Sequence, residues 1–370
     1  MTHNRLLHVI EQETHGRSCN LSSDEESPQM INSNSFSVWE KMAESQINNK
    51  YINLSSLYLE ISGEQILNYF IDGTKSVYKI DEFIYSQNIY PIMAGQIGAV
   101  CCKRVNDNLS RFMSKHEIII VLPDVAIANR VDKKIFIQAL TKKLNDSLAS
   151  LNQNFSISAV LKYSTAKNSN LSQNLESRGR TKIEARTMSY EIKLTEYLSQ
   201  KKLLNHKNYL IKSGSLEYIF TKNLNLNNYR YVIGIVKNFR PESCINPSGS
   251  RDSSYIAELP LYHRTQAAIF TSSQKLGSRK MAVWYLRLHD KRRTNSAFDG
   301  VIKLERLLAD NDEIINSSEL NKISAYILNE RSPVQYAKNS KWASDIYPVY
   351  LTERFAKSKY ISKESFLHIF

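Results

Sequence analysis

Short runs of apolar residues alternate with segments of helical periodicity along most of the chain. Runs rich in β-branched and small apolar residues at 65–80, 90–102 and 117–122 predict β-strands. Within the first run, Asp72-Gly73 predicts a tight turn, because this dipeptide readily supplies the positive φ that a hairpin turn needs. Residues 65–80 are therefore predicted to form a strand, a turn and a second strand.

The remaining segments interleave helices and strands. Apolar positions at helical spacing predict helices at 5–13, 38–47, 132–151, 173–205, 301–309 and 317–330, and one or two helices at 340–357. Short apolar runs predict further strands at 156–163, 209–211, 216–220, 231–237, 266–271 and 281–288. Because strands and helices intermix and no repeat is visible, we expect an α/β fold with a mixed central sheet flanked by helices.

The N-terminal region differs in composition from the rest of the chain. Residues 18–36 are rich in Ser, Asn and acidic residues, which is typical of a flexible segment. We therefore expect a flexible N-terminal segment over 1–37 and one domain over 38–370. No signal-peptide pattern is visible, and the longest apolar run, at 118–122, is far too short to span a membrane. A cytoplasmic protein is the expectation.

Charge is distributed unevenly along the 370 residues, whose formal net charge is +13. Residues 1–60 carry 4 basic and 8 acidic residues, whereas residues 161–303 carry 25 basic and 10 acidic ones. The positive excess thus lies in one stretch, and a local excess of this size attracts polyanions, above all nucleic acid. A basic surface that serves solubility alone is the alternative.

Several classes of function lack their sequence motifs. The chain has no GxGxxG and no GxxxxGK[ST] motif, which argues against dinucleotide and P-loop nucleotide binding. Neither HExxH nor GxSxG occurs. The four cysteines form no CxxC and the eight histidines show no metal-ligand spacing, so a structural zinc site is not expected.

Asp72 is the strongest single candidate for a functional residue. It follows the mostly apolar residues 67–71, and a carboxylate at the end of a buried strand is costly unless it is paired or binds a cation. An aspartate in this position is typical of two-metal nucleases. The alternative is an ordinary turn residue that caps the hairpin.

The long helix at 173–205 offers candidates for a second carboxylate. Glu184 and Glu191 are seven residues apart and share a helix face, and Glu196 and Glu176 are further candidates. Glu191 has apolar neighbours, which favours a half-buried position, although charged residues on a helix usually face water. The basic residues of the helix suit a phosphate track, and they equally suit i,i+4 pairs with the same glutamates.

A third group of candidates is basic. Lys237, Arg264 and Arg287 lie at or near the ends of apolar strands, where a cation can orient a scissile phosphate or form a structural ion pair. Residues 291–293 form a basic loop. The residues that we predict to contact nucleic acid are Lys75, Arg186, Arg240, Arg287, Lys291, Arg292 and Arg293.

Several motifs occur in an order that resembles the NurA family of nucleases. They are FIDGTKSVY (70–78), YLIKSGSLEY (209–218), YVIGIVKNF (231–239), LPLYHRTQAAIF (259–270), WYLRL (284–288), VIKLERLL (301–308) and IYPVYLTERFAKS (346–358). Each motif is weak alone, whereas the ordered set spans residues 67–358 and is moderately specific.

The resemblance implies an RNase H-like mixed sheet with flanking helices. It also implies DNA cleavage that depends on Mn²⁺ or Mg²⁺, and a homodimer docked on a hexameric HerA-type DNA translocase that serves DNA repair or antiviral defence. By position, Asp72 matches the first metal-binding aspartate, and Glu191, or else Glu196, matches the helix glutamate. Lys237, Arg264 and Tyr285 match the strand lysine, the arginine after "LP" and the late tyrosine.

One departure from the family pattern bears on activity. The second aspartate of the family is Ser213 here, and a serine hydroxyl is a poor ligand for a hard divalent cation. The late histidine has no match either, since Glu353 or Arg354 occupies its region. Two functions therefore stay open: a metal-dependent DNA nuclease, and a catalytically impaired subunit that binds DNA or the translocase. A basic scaffold without a nucleic-acid role is a third.

Overall fold

One mixed β-sheet organises the protein. The computed structural model describes residues 5–19, 37–42, 44, 49–61, 65–151, 153, 155–166, 174–272, 279–308, 315–332 and 340–370. Within these ranges thirteen strands join the sheet. No helix in the same ranges is both long enough and apolar enough to cross a membrane.

The strands and helices have the following bounds. The strands are β1 (Arg17–Ser18), β2 (Ser37–Met42), β3 (Tyr51–Asn53), β4 (Leu67–Tyr85), β5 (Asn88–Val105), β6 (Asn108–Pro123), β7 (Ile157–Tyr163), β8 (Tyr209–Ser213), β9 (Val232–Val236), β10 (His263–Thr265), β11 (Ala268–Ser272), β12 (Lys280–Arg287) and β13 (Val301–Leu307). The helices are α1 (Arg5–Thr14), α2 (Ser55–Glu60), α3 (Lys133–Ser150), α4 (Leu175–Gln200), α5 (Ser254–Ala257), α6 (Ser317–Asn329), α7 (Tyr347–Lys357) and α8 (Lys363–His368).

The centre of the sheet combines an antiparallel meander with parallel strands. β4, β5 and β6 pair antiparallel in sequence order. On the other side of β4, β8 pairs parallel to it and β9 pairs parallel to β8. The order β6-β5-β4-β8-β9 is an RNase H-like arrangement, and β13, β12, β11 and β2 extend it by antiparallel pairing. The predicted mixed α/β fold is confirmed.

The predicted turn at Asp72-Gly73 is wrong. β4 runs through these residues without interruption, and they pair with Val100 and Ala99 of β5. The chain reverses instead at Ser86 and Gln87, whose φ angles are 45° and 69°. The Asp-Gly dipeptide therefore lies inside a continuous strand and forms no turn.

Three further predictions are wrong. The helix expected at 301–309 is strand β13, which lies buried between β9 and β12. Residues 38–42 of the helix expected at 38–47 belong to edge strand β2 on β11, because pairing with the sheet prevails over weak helical periodicity. The strand expected at 216–220 is a 3₁₀ turn at Glu217–Phe220.

Helices cover both faces of the sheet. On the α4 face, residues such as Ile71 and Tyr285 belong to the core beneath that helix. On the opposite face, called the α7 face, Phe70 and Trp284 pack in the core that includes α6 and α7. Since side chains alternate along a strand, Asp72 points to the α7 face and position 73 to the α4 face.

The N-terminal residues 5–19 pack on the sheet. The predicted helix at 5–13 is α1, whose Leu6 and Ile10 are fully buried, and β1 pairs with β4. Residues 20–36, the middle of the predicted flexible segment, lie outside the described residues. The boundary between a segment at 1–37 and a domain at 38–370 stays a prediction.

Candidate functional site

Asp72 lies in the middle of β4 with its side chain buried on the α7 face. Only 7% of the residue is exposed. Lys212 of β8 pairs with Ile71, so the next residue, Ser213, lies beside Asp72 and its hydroxyl donates a hydrogen bond to the Asp72 carboxylate. The serine therefore occupies the place that the family pattern gives to a second aspartate.

The surroundings of Asp72 make its charge unfavourable. Burial raises the pKa of the carboxyl to about 7, and the nearby carboxylates of Glu191 and Glu353 add to the increase. The ammonium of Lys237 and the Ser213 hydroxyl oppose it. Two of the residues predicted to join Asp72, Glu191 and Lys237, thus lie within electrostatic reach of it.

Glu191 reaches the sheet because position 73 is a glycine. A Cβ atom built on Gly73 would lie 2.5 Å from the Glu191 Oε1 atom and 2.9 Å from the Thr187 Cγ2 atom. Real Cβ atoms essentially never show distances of this size, so a side chain here would force Glu191 and Thr187 to move, and glycine leaves room for both. The Asp-Gly dipeptide therefore places a buried carboxylate and a close helix contact next to each other.

Two lysines pair with carboxylates around the site. The Lys212 Nζ atom lies 3.1 Å from Glu191 Oε2, and both side chains are nearly buried. Lys237 forms an ion pair with Asp345, which immediately precedes the α7 region that contributes Glu353. Sequence reasoning missed Lys212 and Asp345. The family-like motifs could have indicated both residues, because Lys212 stands in YLIKSGSLEY and Asp345 directly precedes IYPVYL.

Three other predicted site residues lie elsewhere. Arg264 is fully buried and makes a bidentate ion pair with Glu44, with N–O distances of 2.7 and 2.8 Å. Tyr285 packs against Phe239 on the α4 face, where burial raises the pKa of its hydroxyl well above the usual value. Glu196 lies near Tyr229, whose pKa is raised by burial and, to a smaller extent, by the charge of Glu196. The structure does not bring these side chains to Asp72.

The residues predicted to contact nucleic acid divide into two groups. Arg287 is buried and donates hydrogen bonds to backbone carbonyls, among them those of Leu259 and Ala297, so no phosphate can reach it. Lys75 pairs with Glu184 at 2.6 Å. The exposed side chains are those of Arg240, Lys291, Arg292 and Arg293, of which Arg292 pairs with Asp290.

Arg186 belongs to a group of cations around one aromatic ring. We call Lys115, Glu117, Arg186, Tyr190 and Lys193 the Tyr190 cluster. The Tyr190 ring centroid lies 5.9 Å from Lys115 Nζ, 5.1 Å from Arg186 Cζ and 5.4 Å from Lys193 Nζ. Glu117 accepts two hydrogen bonds from Arg186 and one from the Tyr190 hydroxyl. Three cations thus surround one aromatic ring, and two of them, Lys115 and Arg186, also pair with Glu117. Sequence reasoning missed Lys115 because it lies outside the basic stretch.

The arrangement does not fit the divalent metal that the resemblance implies. Hard cations need several oxygen ligands, usually carboxylates. Here an ammonium occupies the open side of Glu191 and a serine stands next to Asp72. Among the described residues, no three or more His, Cys, Asp or Glu side chains are placed to hold a metal ion.

Comparison with known proteins gives a distant fold neighbour. No protein-family model matches the chain, and no curated protein matches it. Among solved structures, the NurA nuclease from Sulfolobus solfataricus is similar over 82% of this chain and 85% of its own, with a TM-score of 0.40 and 10% sequence identity.

Proposed function

We propose that this protein binds DNA along the α4 face of the sheet, beside the Glu191 carboxylate. The observation that carries the proposal is the Tyr190 cluster. Its three cations exceed its single carboxylate by two charges, and Lys115 and Lys193 are exposed to solvent. Exposed cations held beside an aromatic ring are suited to the phosphates of a nucleic acid strand.

The position of the cluster supports the same proposal. Lys115 of β6, Ala99 of β5 and Gly73 of β4 are directly paired neighbours, and Glu191 lies above Gly73. Two strand spacings, roughly 10 Å, therefore separate Lys115 from Gly73 and the Glu191 carboxylate above it. A nucleic-acid strand bound at the cluster passes close to Glu191.

Loss of the two exposed lysines tests DNA binding. We expect Lys115→Ala/Lys193→Ala to lower the slope of log affinity against log salt concentration by about 2, because each lysine neutralises about one phosphate. Fluorescence anisotropy with labelled oligonucleotides measures the slope. Lys142→Ala is the matched control, because Lys142 is exposed on α3 at the opposite face. Wild-type protein that binds no DNA contradicts the proposed function.

A metal-dependent DNA nuclease is the second candidate. It is favoured by the carboxylates of Glu191 and Glu353, which both raise the pKa of Asp72 and so lie near it. In this function Lys237 stabilises charge on the phosphate. A nuclease assay with Mn²⁺ or Mg²⁺ distinguishes a nuclease from a protein that only binds DNA. Cleavage by the wild type that Asp72→Ala abolishes supports the nuclease. DNA binding without cleavage supports a catalytically impaired subunit.

The partners implied by the resemblance are proposals as well. A homodimer and a HerA-type translocase hexamer suit a protein that handles DNA ends, in repair or in defence against foreign DNA. Sedimentation of the purified chain tests the dimer. Co-elution with a purified HerA-type ATPase tests the translocase.

A further inference from the structure

Basic and aromatic side chains alternate along one line of α4. We call Arg186, Tyr190, Lys193, Tyr197 and Lys201 the α4 stripe. Their positions advance by four, three, four and four residues, so they lie on one side of the helix. The first three belong to the Tyr190 cluster, and the Lys201 Nζ atom lies 5.8 Å from the centroid of the Tyr197 ring. The contact between a cation and a ring is therefore repeated two turns beyond the cluster.

The second ring of the stripe is open to solvent. Tyr197 is 40% exposed, and Lys193 and Lys201, which precede and follow it on the stripe, are exposed as well. An exposed ring between two cations has the composition of a site where a base stacks on the ring while the neighbouring phosphates bind the cations.

The direction of α4 shows which part of the sheet lies level with Tyr197. A Cβ atom on Gly73 of β4 would meet Glu191, whereas a Cβ atom on Gly95, which pairs with Val77 farther along β4, would meet Ile183. The helix therefore runs opposite to β4. It also runs opposite to β6, because β4 and β6 both pair antiparallel with β5.

A second exposed ring lies level with Tyr197 on β6. The seven residues from Tyr190 to Tyr197 cover roughly 10 Å of helix, which corresponds to about three residues of a strand. Since Tyr190 lies beside Lys115, the same step along β6 leads back to Phe112, which is 39% exposed. Helix and strand thus each place an exposed ring on the same side of the Tyr190 cluster.

The surroundings of Phe112 resemble those of Tyr197. The Phe112 ring packs edge-on against the Tyr69 ring, with centroids 6.1 Å apart, and the Lys103 Nζ atom lies 5.9 Å from the Tyr69 centroid. Tyr69 belongs to the core on the α4 face, so Phe112 lies at the border of that face. Here too an exposed ring is combined with a nearby cation.

We propose that the α4 stripe and Phe112 form a binding site for single-stranded DNA. Tyr197 and Phe112 stack on unpaired bases, and Lys193 and Lys201 bind the phosphates between them. In a duplex the faces of the bases are covered by their neighbours, so duplex DNA engages the cations alone. This inference rests on the proposed DNA binding and specifies its substrate as an unpaired strand.

Removal of the two exposed rings tests the site. We expect Tyr197→Ala/Phe112→Ala to weaken binding of a single strand about tenfold or more, since each stacked base contributes substantially to affinity. The affinity for the duplex of the same sequence and the salt slope of both should stay unchanged, because the rings carry no charge. Fluorescence anisotropy measures all of these. Tyr347→Ala is the matched control, because Tyr347 is a 50% exposed ring at the start of α7, on the opposite face.

A conservative variant gives a second readout. Tyr197→Trp should bind the single strand as tightly as wild type, and addition of that strand should quench its tryptophan fluorescence more than that of wild type. A variant whose added indole is not quenched overturns the inference, even if the alanine variant does not fold. Wild-type protein that binds both forms of DNA equally, with rings that can be removed without effect, overturns it and leaves the proposed DNA binding intact. Wild-type protein that binds neither form contradicts both.

Discussion

Glu44→Ala is expected to lower the free energy of unfolding by about 3–5 kcal/mol, the cost of leaving one partner of a buried ion pair without its counter-charge. Glu44 binds the Arg264 guanidinium through both oxygens and also accepts the backbone N–H of Ala267 at 2.7 Å. The Arg264 side chain is fully buried, so no water replaces the lost carboxylate. Urea denaturation at neutral pH measures the change.

Two variants give this prediction its controls. Glu258→Ala removes a carboxylate from an exposed pair with Lys50, and a loss of at most about 1 kcal/mol is expected there. Replacing both buried partners, as in Glu44→Leu/Arg264→Met, should recover much of the stability, because apolar residues carry no desolvation cost. A Glu44→Ala protein as stable as the wild type would show that Arg264 is not held by this pair, and its predicted role near a phosphate would be open again.

Arg264 also shows why part of the site could not be predicted from sequence. A cation at the end of an apolar strand has the same local pattern whether it binds a phosphate or a buried carboxylate. The partner that decides between them, Glu44, lies 220 residues away in the chain. Lys237 has the same pattern, yet it lies near Asp72 because its strand, β9, is close to the centre of the sheet.

The fold was predictable where local pattern and burial agree. β5, β6, α3 and α4 occur as predicted, since their apolar positions have the period of the structure that they form. β13 was mistaken for a helix because it is buried on both faces and contains Lys303 and Glu305, which pair with each other at 2.6 Å. Charged residues that satisfy one another inside a sheet remove the alternation that marks a strand.

Gly73 also shows that local sequence does not reveal a partner that is distant in the chain. Asp72-Gly73 has strong turn chemistry, and its local sequence contains no sign of α4, which is more than a hundred residues further on. A side chain at that position would meet the Glu191 carboxylate and the Thr187 methyl group, which would then have to move. The turn prediction was wrong, yet the dipeptide that prompted it is part of the site, because Gly73 lies next to the buried Asp72 carboxylate.

Asp72→Asn is expected to stabilise the protein at pH 8 and to leave its stability nearly unchanged at pH 4. Burial holds the pKa of the Asp72 carboxyl at about 7 in the folded state, against 3.8 for an ordinary aspartate. The folded state therefore binds the proton more tightly, so the stability contributed by the protonated form is complete below pH 3.8 and is lost as the pH rises through about 7. Asparagine never ionises, and the gain at pH 8 is at most about 4 kcal/mol.

Chemical denaturation of the wild type and of Asp72→Asn at the two pH values measures this difference. Asp107→Asn, in the exposed turn between β5 and β6, is the control for the loss of one carboxylate. An Asp72→Asn protein whose stability relative to the wild type is the same at both pH values contradicts the prediction.

A buried carboxylate that costs stability at neutral pH is retained where its charge or its proton is used. The same variant should therefore lose function as it gains stability, which a purely structural aspartate would not do.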